Sequence, residues 1–369
     1  MQRSLRQLQP KRLPVSLCGA AAYFVCAFFL CAFVGQGESR FEAWTSDDGL
    51  PQNSVYSILQ TRDGYLWFTT LGGLVRYDGV RFTVFNKSNS KGIVSNRFTA
   101  LCEDADGALW IGTEGSGVTR YKNGNFETYT MESGLPDRNV KALRNDADNN
   151  LWVYTNRGVA QWKDNRFVES PENEFTPEQI DVVRPMRRQT GFSFFDRDGF
   201  HVFVQGKIKT YTTRDGLSSL DINSVYQDQQ GTFWIETKDK GLNRLKDGAF
   251  TLYASQDGEP RGVPNDETRI TAVCEDSKGN MWIARRGQGL SRWRARAGEN
   301  FTAAEHFSSD DIKTDIETIY EDREGNVWLG TLNNGLSRVT DHVFKIYSSG
   351  EGLADTNIYP MLEDRAGNV

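Results

Sequence analysis

Two adjacent arginines, Arg285 and Arg286, are the residues of this 369-residue chain whose type and spacing best suit a binding chemistry. Paired guanidinium groups fit a carboxylate or a sulfate, because each can donate parallel hydrogen bonds to the oxygens of an anion. Five of the other repeated units of the chain carry threonine rather than paired arginine in this part of the unit. We therefore predict that the two arginines contact a ligand, and the alternative is a solvated loop.

Five further polar residues fall in segments that we expect to meet at one face of the molecule. Three lie in loops between a second and a third predicted strand, and two lie in connectors between units. Ligand contacts usually come from loops that a rigid scaffold positions. The predicted ligand-binding residues are accordingly Arg285, Arg286, Arg157, Lys238, Asn333, Asn96 and Arg138.

Catalytic and metal-binding patterns are weak throughout the sequence. The three histidines, His201, His306 and His342, have no Cys, Ser or second His at catalytic or metal-ligand spacing. Asp104 and Asp106 resemble part of a calcium loop, but no bidentate Glu follows at the required distance, so a turn is favoured. We predict no catalytic site in residues 1–369, no metal and no cofactor. The net charge of -6 leaves no basic stripe, which argues against nucleic acid as a partner.

These candidate residues are positioned by a repeat that recurs about every 40 to 48 residues. One tryptophan marks each unit, a phenylalanine replaces it once, and the successive spacings are 43, 42, 42, 40, 48 and 46 residues. A fixed period of this size indicates a repeat architecture. The seven marks, called ladder residues below, are Trp67, Trp110, Trp152, Phe194, Trp234, Trp282 and Trp328.

Each unit contains the elements of a four-stranded antiparallel sheet. An apolar run precedes a polar turn such as Asp104–Gly107, the ladder residue lies in a second strand, and two more strands follow. Four short strands repeated without helical periodicity are typical of a β-propeller blade. The sequence thus predicts an all-β fold in which residues 38–349 form a seven-bladed propeller, with the ladder residues packed between adjacent blades.

Sequence patterns at the two ends of the chain support further predictions. Residues 1–37 combine four basic residues with an uncharged run, Val15–Val34, which is typical of a signal peptide or a membrane-anchor helix. Residues 350–369 begin an eighth repeat that stops one residue before its expected tryptophan, so we interpret the chain as a fragment. Residues 40–46 resemble a fourth strand and could complete the seventh blade, in competition with residues 343–348.

The unit pattern resembles the two-component regulator propeller repeat. The resemblance is carried by "GLP" at Gly49–Pro51 and Gly134–Pro136, followed by "DADGALWIGT" and "GVTRYKNGNF", and it extends over roughly residues 41–369. It implies the periplasmic, ligand-sensing part of a protein in the bacterial inner membrane, whose output is a histidine kinase, often hybrid, or a diguanylate cyclase. It further implies a small-molecule or oligosaccharide ligand and a homodimer. The output machinery is not in this chain.

Two other classes of function remain open at this point. An exported propeller enzyme acting on polysaccharide would need converging acid and base residues in the channel, and a protein-interaction scaffold would bind no small ligand. A ligand-dependent thermal shift separates the sensor from the scaffold.

Overall fold

The protein folds into seven antiparallel sheets of four strands each. The computed structural model describes residues 39–146, 148–169, 184–185, 191–204, 207–227, 231–238, 240–253, 270–295, 301–307 and 315–341. Arg40–Thr340 form one compact unit. The predicted all-β, seven-bladed propeller with four-stranded blades is confirmed.

Consecutive strands form each of the first three blades, and the first strands of neighbouring blades approach one another. The first blade comprises β2 (Val55–Gln60), β3 (Leu66–Thr70), β4 (Leu74–Tyr77) and β5 (Phe82–Phe85). The second comprises β6 (Phe98–Glu103), β7 (Leu109–Thr113), β8 (Val118–Lys122) and β9 (Asn125–Tyr129). The third comprises β10 (Val140–Asn145), β11 (Leu151–Thr155), β12 (Gly158–Lys163) and β13 (Arg166–Glu169).

The remaining blades follow the same order, except that the seventh takes its fourth strand from the start of the chain. The fourth blade comprises β14 (Arg184–Pro185), β15 (Gly191–Asp196), β16 (Gly199–Val204) and β17 (Lys207–Tyr211). The fifth comprises β18 (Ile222–Gln227), β19 (Phe233–Thr237), β20 (Gly241–Lys246) and β21 (Ala249–Tyr253). The sixth comprises β22 (Ile270–Glu275), β23 (Met281–Arg285), β24 (Gly289–Ala295) and β25 (Phe301–Phe307). The seventh comprises β26 (Ile316–Glu321), β27 (Val327–Thr331), β28 (Leu336–Asp341) and β1 (Ser39–Trp44).

Helical structure in the described residues is limited to three short 3-10 turns, Ser46–Asp48, Met131–Ser133 and Thr213–Asp215. Each follows a fourth strand and starts at a threonine whose side chain accepts a backbone hydrogen bond. None of them is long and apolar enough to cross a membrane. The predicted export or anchor segment (residues 1–37), the competing strand (343–348) and the eighth repeat (350–369) lie outside the described residues.

The turn aspartate and the ladder tryptophan of a blade are joined by a hydrogen bond. In the second blade, Trp110 Nε1 donates to Asp104 Oδ2 at 2.7 Å, while Asp104 Oδ1 accepts the backbone N–H of Asp106 and Ala108. The same indole bond recurs at 2.9 Å in the third and sixth blades and at 2.7 Å in the seventh. One carboxylate therefore closes the hairpin turn and also satisfies the buried indole.

The turn carboxylate of the third blade shows the electrostatic result of this arrangement. Burial raises the pKa of Asp146, but hydrogen bonds from Trp152 and Asn150 lower it, and the pKa lies below its usual value. Hydrogen bonds to a charged carboxylate stabilise the ionised form. The ionised aspartate is thus the form that the folded blade favours.

The ladder residues also pack against the following blade. The ring centroids of Trp67 and Tyr121 lie 5.2 Å apart, and those of Trp110 and Trp162 lie 4.8 Å apart. These distances fall within the range of favourable aromatic pairs. The aromatic core is consequently divided into clusters at the blade interfaces.

An arginine in the third strand covers the ladder tryptophan in five blades. It is the cross-strand partner of that tryptophan, and its Cζ lies 4.9 to 5.8 Å from the ring centroid. Stacking of a guanidinium on an indole is a cation–π contact. The five arginines are Arg76, Arg120, Arg244, Arg292 and Arg338.

The fourth blade keeps this geometry with different residues. Phe194 pairs across the strands with His201, and the two rings are stacked with centroids 4.5 Å apart. The ring nitrogens of His201 lie 2.8 Å from Asp196 Oδ1 and 2.9 Å from Thr210 Oγ1. A phenylalanine has no N–H to satisfy, so this blade can dispense with the turn aspartate that accepts the indole N–H in the second, third, sixth and seventh blades.

The first and last described strands close the ring. β1 lies beside β28, and the rings of Trp44 and Trp328 are stacked with centroids 5.5 Å apart. Arg338 is ion-paired with Glu42 across the same junction. Residues 40–44 therefore supply the fourth strand of the seventh blade, as the sequence suggested.

Candidate ligand-binding site

The loops between second and third strands and the connectors between blades lie on the same face, because backbone hydrogen bonds join them. Glu114 N donates to Arg97 O at 3.0 Å, and Asn156 N donates to Asn139 O at 3.2 Å. Equivalent bonds occur at Lys238 in the fifth blade and at Leu332 in the seventh. The predicted binding residues are distributed around this loop face.

Two of the predicted residues form ion pairs with connector aspartates. Arg157 Nε lies 3.4 Å from Asp137 Oδ2, and Lys238 Nζ lies 3.3 Å from Asp221 Oδ1. The two cationic side chains are 75% and 54% exposed. Exposed pairs of this kind contribute at most about 1 kcal/mol, so they remain available for exchange with a ligand.

Three others lie in different parts of the same face. Asn96 is half-buried, and its Oδ1 accepts the N–H of Lys87 at 2.8 Å, which organises a connector. The carbonyl of Arg138 accepts the N–H of Gly117 at 2.8 Å, and its side chain is exposed. Asn333 is exposed in a loop of the seventh blade. Within the described residues, none of the seven predicted side chains bonds to another.

The structure separates the two arginines that the sequence suggested as a pair. Arg286 Nε lies 3.1 Å from Asp315 Oδ2, and Gly287 N donates to Asp315 Oδ1 at 3.0 Å, so Arg286 is attached to the connector of the seventh blade. Arg285 is the last residue of β23 and is influenced by Glu236 of the fifth blade. The two guanidiniums therefore have different acidic neighbours, Asp315 for Arg286 and Glu236 for Arg285.

Arg285 occupies a position that is threonine in five other blades. In those blades the hydroxyl, three residues after the ladder residue, donates to a carbonyl of the adjacent loop at 2.7 to 3.0 Å. Arg285 keeps the cross-strand pairing of these threonines, in its case with Ile270, but it has no hydroxyl to make the short bond. The five threonines are Thr70, Thr113, Thr155, Thr237 and Thr331.

Glu236 occupies a second position where the pattern of the repeat is broken. Two residues after the ladder residue, four other blades carry Gly, Ala or Thr, and a Cβ on Gly112 would approach Val140 Cγ1 of the next blade to 2.7 Å. Glu236 Oε2 instead accepts hydrogen bonds from Asn223 Nδ2 at 2.9 Å, Ser224 Oγ at 3.1 Å and Ile270 N at 3.1 Å. The last of these bonds crosses from the fifth blade to the sixth.

Arg285 and Glu236 therefore face each other across the interface between the fifth and sixth blades. Both are half-buried. Burial lowers the pKa of Arg285 and the carboxylate of Glu236 opposes that shift, with burial dominant. We call Arg285, Glu236, Asn223 and Ser224 the interblade corner.

Arg285 was predicted from the sequence as a binding residue, whereas Glu236, Asn223 and Ser224 were not. The direction of the Asn223 side chain could not be predicted from strand alternation, because Asn223 lies in a β-bulge. The register of β18 with β19 shifts there between Ile222 and Ser224. The same bulge occurs in every described first strand longer than two residues. Bulges re-aim side chains near functional sites. Glu236 had a visible signal, since it is an acidic residue where most units carry a small one.

The described part of the chain contains no group of three or more His, Cys, Asp or Glu side chains arranged to hold a metal ion. Of the two carboxylates that resembled a calcium loop, that of Asp104 accepts two backbone N–H groups and the Trp110 indole, and Asp106 is exposed. The described histidines are bonded within their own blades, His201 to Asp196 and Thr210 and His306 to Ser291.

Comparison with known proteins gives matches at the level of repeat and fold. The family model described as two component regulator propeller matches residues 49–72, 92–115, 265–284 and 312–333. No curated protein sequence is significantly similar.

Among solved structures, the chain is similar to the extracellular domains assigned to two hybrid two-component systems of B. thetaiotaomicron. For BT3049 the identity is 21% and the TM-score 0.60, with 83% of this chain and 42% of that chain covered. For BT4673 the identity is 19% and the TM-score 0.60, with coverages of 82% and 39%. The chain thus spans about two fifths of these domains.

A virginiamycin B lyase from Staphylococcus aureus, solved in a catalytically inactive form with quinupristin, is similar in fold as well. Its identity to this chain is 12% and the TM-score is 0.60, with 82% of this chain and 99% of that chain covered. Identities this low establish a common propeller fold, and function has to be argued from the site.

Proposed function

The chain carries two-component regulator propeller repeats, and from this premise we propose that it is the extracytoplasmic, ligand-sensing region of a membrane-bound signal-transduction protein. The output that we propose is a two-component histidine kinase. The similarity in fold to the extracellular domains of two hybrid two-component systems supports this proposal.

The observation that carries the proposal is the interblade corner. At one interface, half-buried Glu236 and Arg285 stand where most other blades carry a small residue and a hydrogen-bonding threonine. Burying charges is costly unless they are well paired, and departures from a consistent structural pattern concentrate at functional sites. A ligand that pairs these groups would offset that cost.

A sensor also has to convert binding into a change of state. A ligand shifts an equilibrium only by its differential affinity for the two states. Contacts to both the fifth and the sixth blade would favour one arrangement of that interface over another. We further propose that the protein forms a homodimer and lies in the bacterial inner membrane, with residues 1–37 directing export.

The reading frame of the gene beyond codon 369 tests the signalling proposal. We expect a membrane-spanning segment followed by a phosphoacceptor-histidine region or another signalling output. A frame that stops shortly after this point, or that continues into a secreted hydrolase, would contradict the proposal.

The enzyme alternative is less well supported by the described residues. A lyase or hydrolase needs an acid and a base within hydrogen-bond reach of a substrate. His201 stacks on Phe194 and is 7% exposed, so it is poorly placed to reach a substrate. The sensor proposal therefore accounts for more of the observations.

A further inference from the structure

The interblade corner is built around the first strand of the sixth blade. Ile270 pairs with Arg285 across β22 and β23, and its N–H donates to Glu236 Oε2 at 3.1 Å. Alternation along β19 and β23 directs Glu236 toward the sixth blade and Arg285 toward the fifth. Their opposite charges therefore lie at the same junction and come from two different blades.

Among the described residues, both charged groups have hydrogen-bonding atoms that no partner engages. No N–H of the Arg285 guanidinium donates to another described residue, and no described donor bonds to Glu236 Oε1. A guanidinium has five N–H donors in a planar fork, and a carboxylate oxygen only accepts. The junction consequently offers donors on one side and an acceptor on the other.

The Glu236 side chain is held in place before any ligand arrives. Asn223 Nδ2, Ser224 Oγ and the Ile270 amide all donate to its Oε2. Three hydrogen bonds to one oxygen fix the carboxylate and leave Oε1 directed elsewhere. Preorganised polar groups reduce the cost of ordering the site on binding.

We propose that the interblade corner binds a carboxylate that carries a hydrogen-bond donor, such as a hydroxyl, on the neighbouring carbon. The guanidinium of Arg285 donates two charge-assisted hydrogen bonds to the ligand carboxylate. Glu236 Oε1 accepts a hydrogen bond from the donor on the neighbouring carbon. Uronic acids and small hydroxy acids share this chemistry. The inference rests on the proposed sensor function and adds its ligand class.

The choice of ligand follows from having both charges in one site. A sulfate ion or a simple carboxylate would satisfy Arg285 but would leave Glu236 facing an anion without a donor. An uncharged sugar would satisfy Glu236 but leave the guanidinium unpaired. Buried polar groups left unpaired make a site discriminate strongly against the wrong ligand.

Isothermal titration calorimetry on the full 369-residue chain in detergent provides the test. Lactate against propionate isolates the neighbouring hydroxyl, and galacturonate against galactose isolates the carboxylate. We expect lactate or galacturonate to bind, with propionate and galactose at least about 10-fold weaker. Absence of binding by both acids, or binding of sulfate or propionate as tight as that of lactate, would overturn the proposal.

Matched variants test whether the acid binds at the interblade corner. Arg285→Thr restores the residue of five other blades, and Glu236→Ala introduces the residue that the sixth blade carries as Ala284. We expect Arg285→Thr to weaken binding of the acid about 10- to 100-fold, and Glu236→Ala to abolish the preference for lactate over propionate. Lys240→Thr removes an exposed cation from the loop between β19 and β20 and should bind as the wild type does.

Thermal unfolding of each variant verifies that it is folded, and Arg285→Lys provides a second probe that keeps the charge but loses the fork. Wild-type affinity in both Arg285 variants would refute the assignment. The binding experiment and the reading-frame test can fail separately. If the gene encodes a signalling output but the acids do not bind, only the ligand inference is refuted. If the acids bind but the gene encodes no output, only the signalling proposal is refuted.

Discussion

The smallest contact that recurs in this molecule is made by three side chains. The indole N–H of a tryptophan donates to a carboxylate, and a guanidinium stacks on its ring. In the second blade, Asp104 accepts a hydrogen bond from Trp110 Nε1, and Arg120 lies over the ring with its Cζ 5.4 Å from the centroid. The tryptophan is thus held at its edge by a hydrogen bond and at its face by a cation. A buried N–H without an acceptor is costly, so the aspartate matters more than its partly exposed position suggests.

Replacing Asp104 with alanine should destabilise the protein by about 3 kcal/mol, because the variant leaves the Trp110 N–H and two turn amides without their acceptor. Urea unfolding monitored by tryptophan fluorescence measures the effect. Asp106→Ala, in the same turn but exposed, is the control and should change stability by less than about 0.5 kcal/mol. Equal effects of the two substitutions would show that the indole bond contributes nothing specific.

The thiol of Cys102 provides a second prediction at this scale. Burial raises its pKa to about 12, the nearby Arg144 opposing the shift. Because the thiolate is the reactive form, a rise from 9.0 to about 12 lowers its population at pH 8 roughly a thousandfold. We expect Cys102 to resist alkylation by iodoacetamide in the native protein and to react after unfolding, as followed by peptide-resolved mass spectrometry. Rapid labelling under native conditions would indicate that the second blade opens locally.

At the scale of elements, close approach between loop and strand decides where glycine is required. Gly117, between the second and third strands of its blade, has φ 80°, and a Cβ there would lie 2.1 Å from the carbonyl oxygen of Tyr129. Gly335 in the seventh blade has φ 77° and would meet Trp44 O at the same distance. At this position of the repeat, both the positive φ and the close carbonyl oxygen disfavour any residue with a Cβ.

Gly117→Ala should therefore cost at least about 3 kcal/mol, whereas Gly124→Ala should cost about 1 kcal/mol. Gly124 has a similar φ of 82°, but a Cβ there has no neighbour within 4 Å. The pair separates backbone strain from steric clash, and chemical denaturation of both variants measures it. If the two variants lost the same stability, backbone conformation alone would explain the glycine.

The elements of this fold could be predicted from sequence because each blade repeats a local pattern. The hydrogen bond from Trp110 to Asp104 spans six residues, so its period is visible in the chain. The interblade corner could not be predicted in full, since Arg285 and Glu236 come from different units and their meeting depends on which side of each strand faces the neighbouring blade. The bulge that places Asn223 leaves no mark in hydrophobic periodicity.

At the scale of the whole molecule, the ring depends on pairing between its two ends. β1 pairs with β28, and Gly335 N donates to Asn53 O at 2.8 Å, which links the seventh blade to the connector of the first. Trp328 also packs against Phe68 of the first blade, with centroids 5.9 Å apart. Closure thus combines strand pairing with aromatic packing.

Two truncations test this closure. A chain that starts at Ser39 keeps β1, and a chain that starts at Thr45 lacks only that strand. We expect the shorter chain to melt at a lower temperature and to be cleaved faster by protease, because Trp328 and the edge of β28 lose their cover. Equal stability of the two chains would show that another segment, such as residues 343–348, can replace β1.

Closure by the N-terminal strand has a consequence for biosynthesis. Trp44 is made about 290 residues before Leu336, which at roughly 5 to 20 residues per second corresponds to about 15 to 60 s of translation. Throughout that interval β1 has no partner and the nascent blades expose unpaired edges. Factors that shield nascent chains, or a slower synthesis rate near the last blade, would therefore alter the yield of this protein more than its final stability.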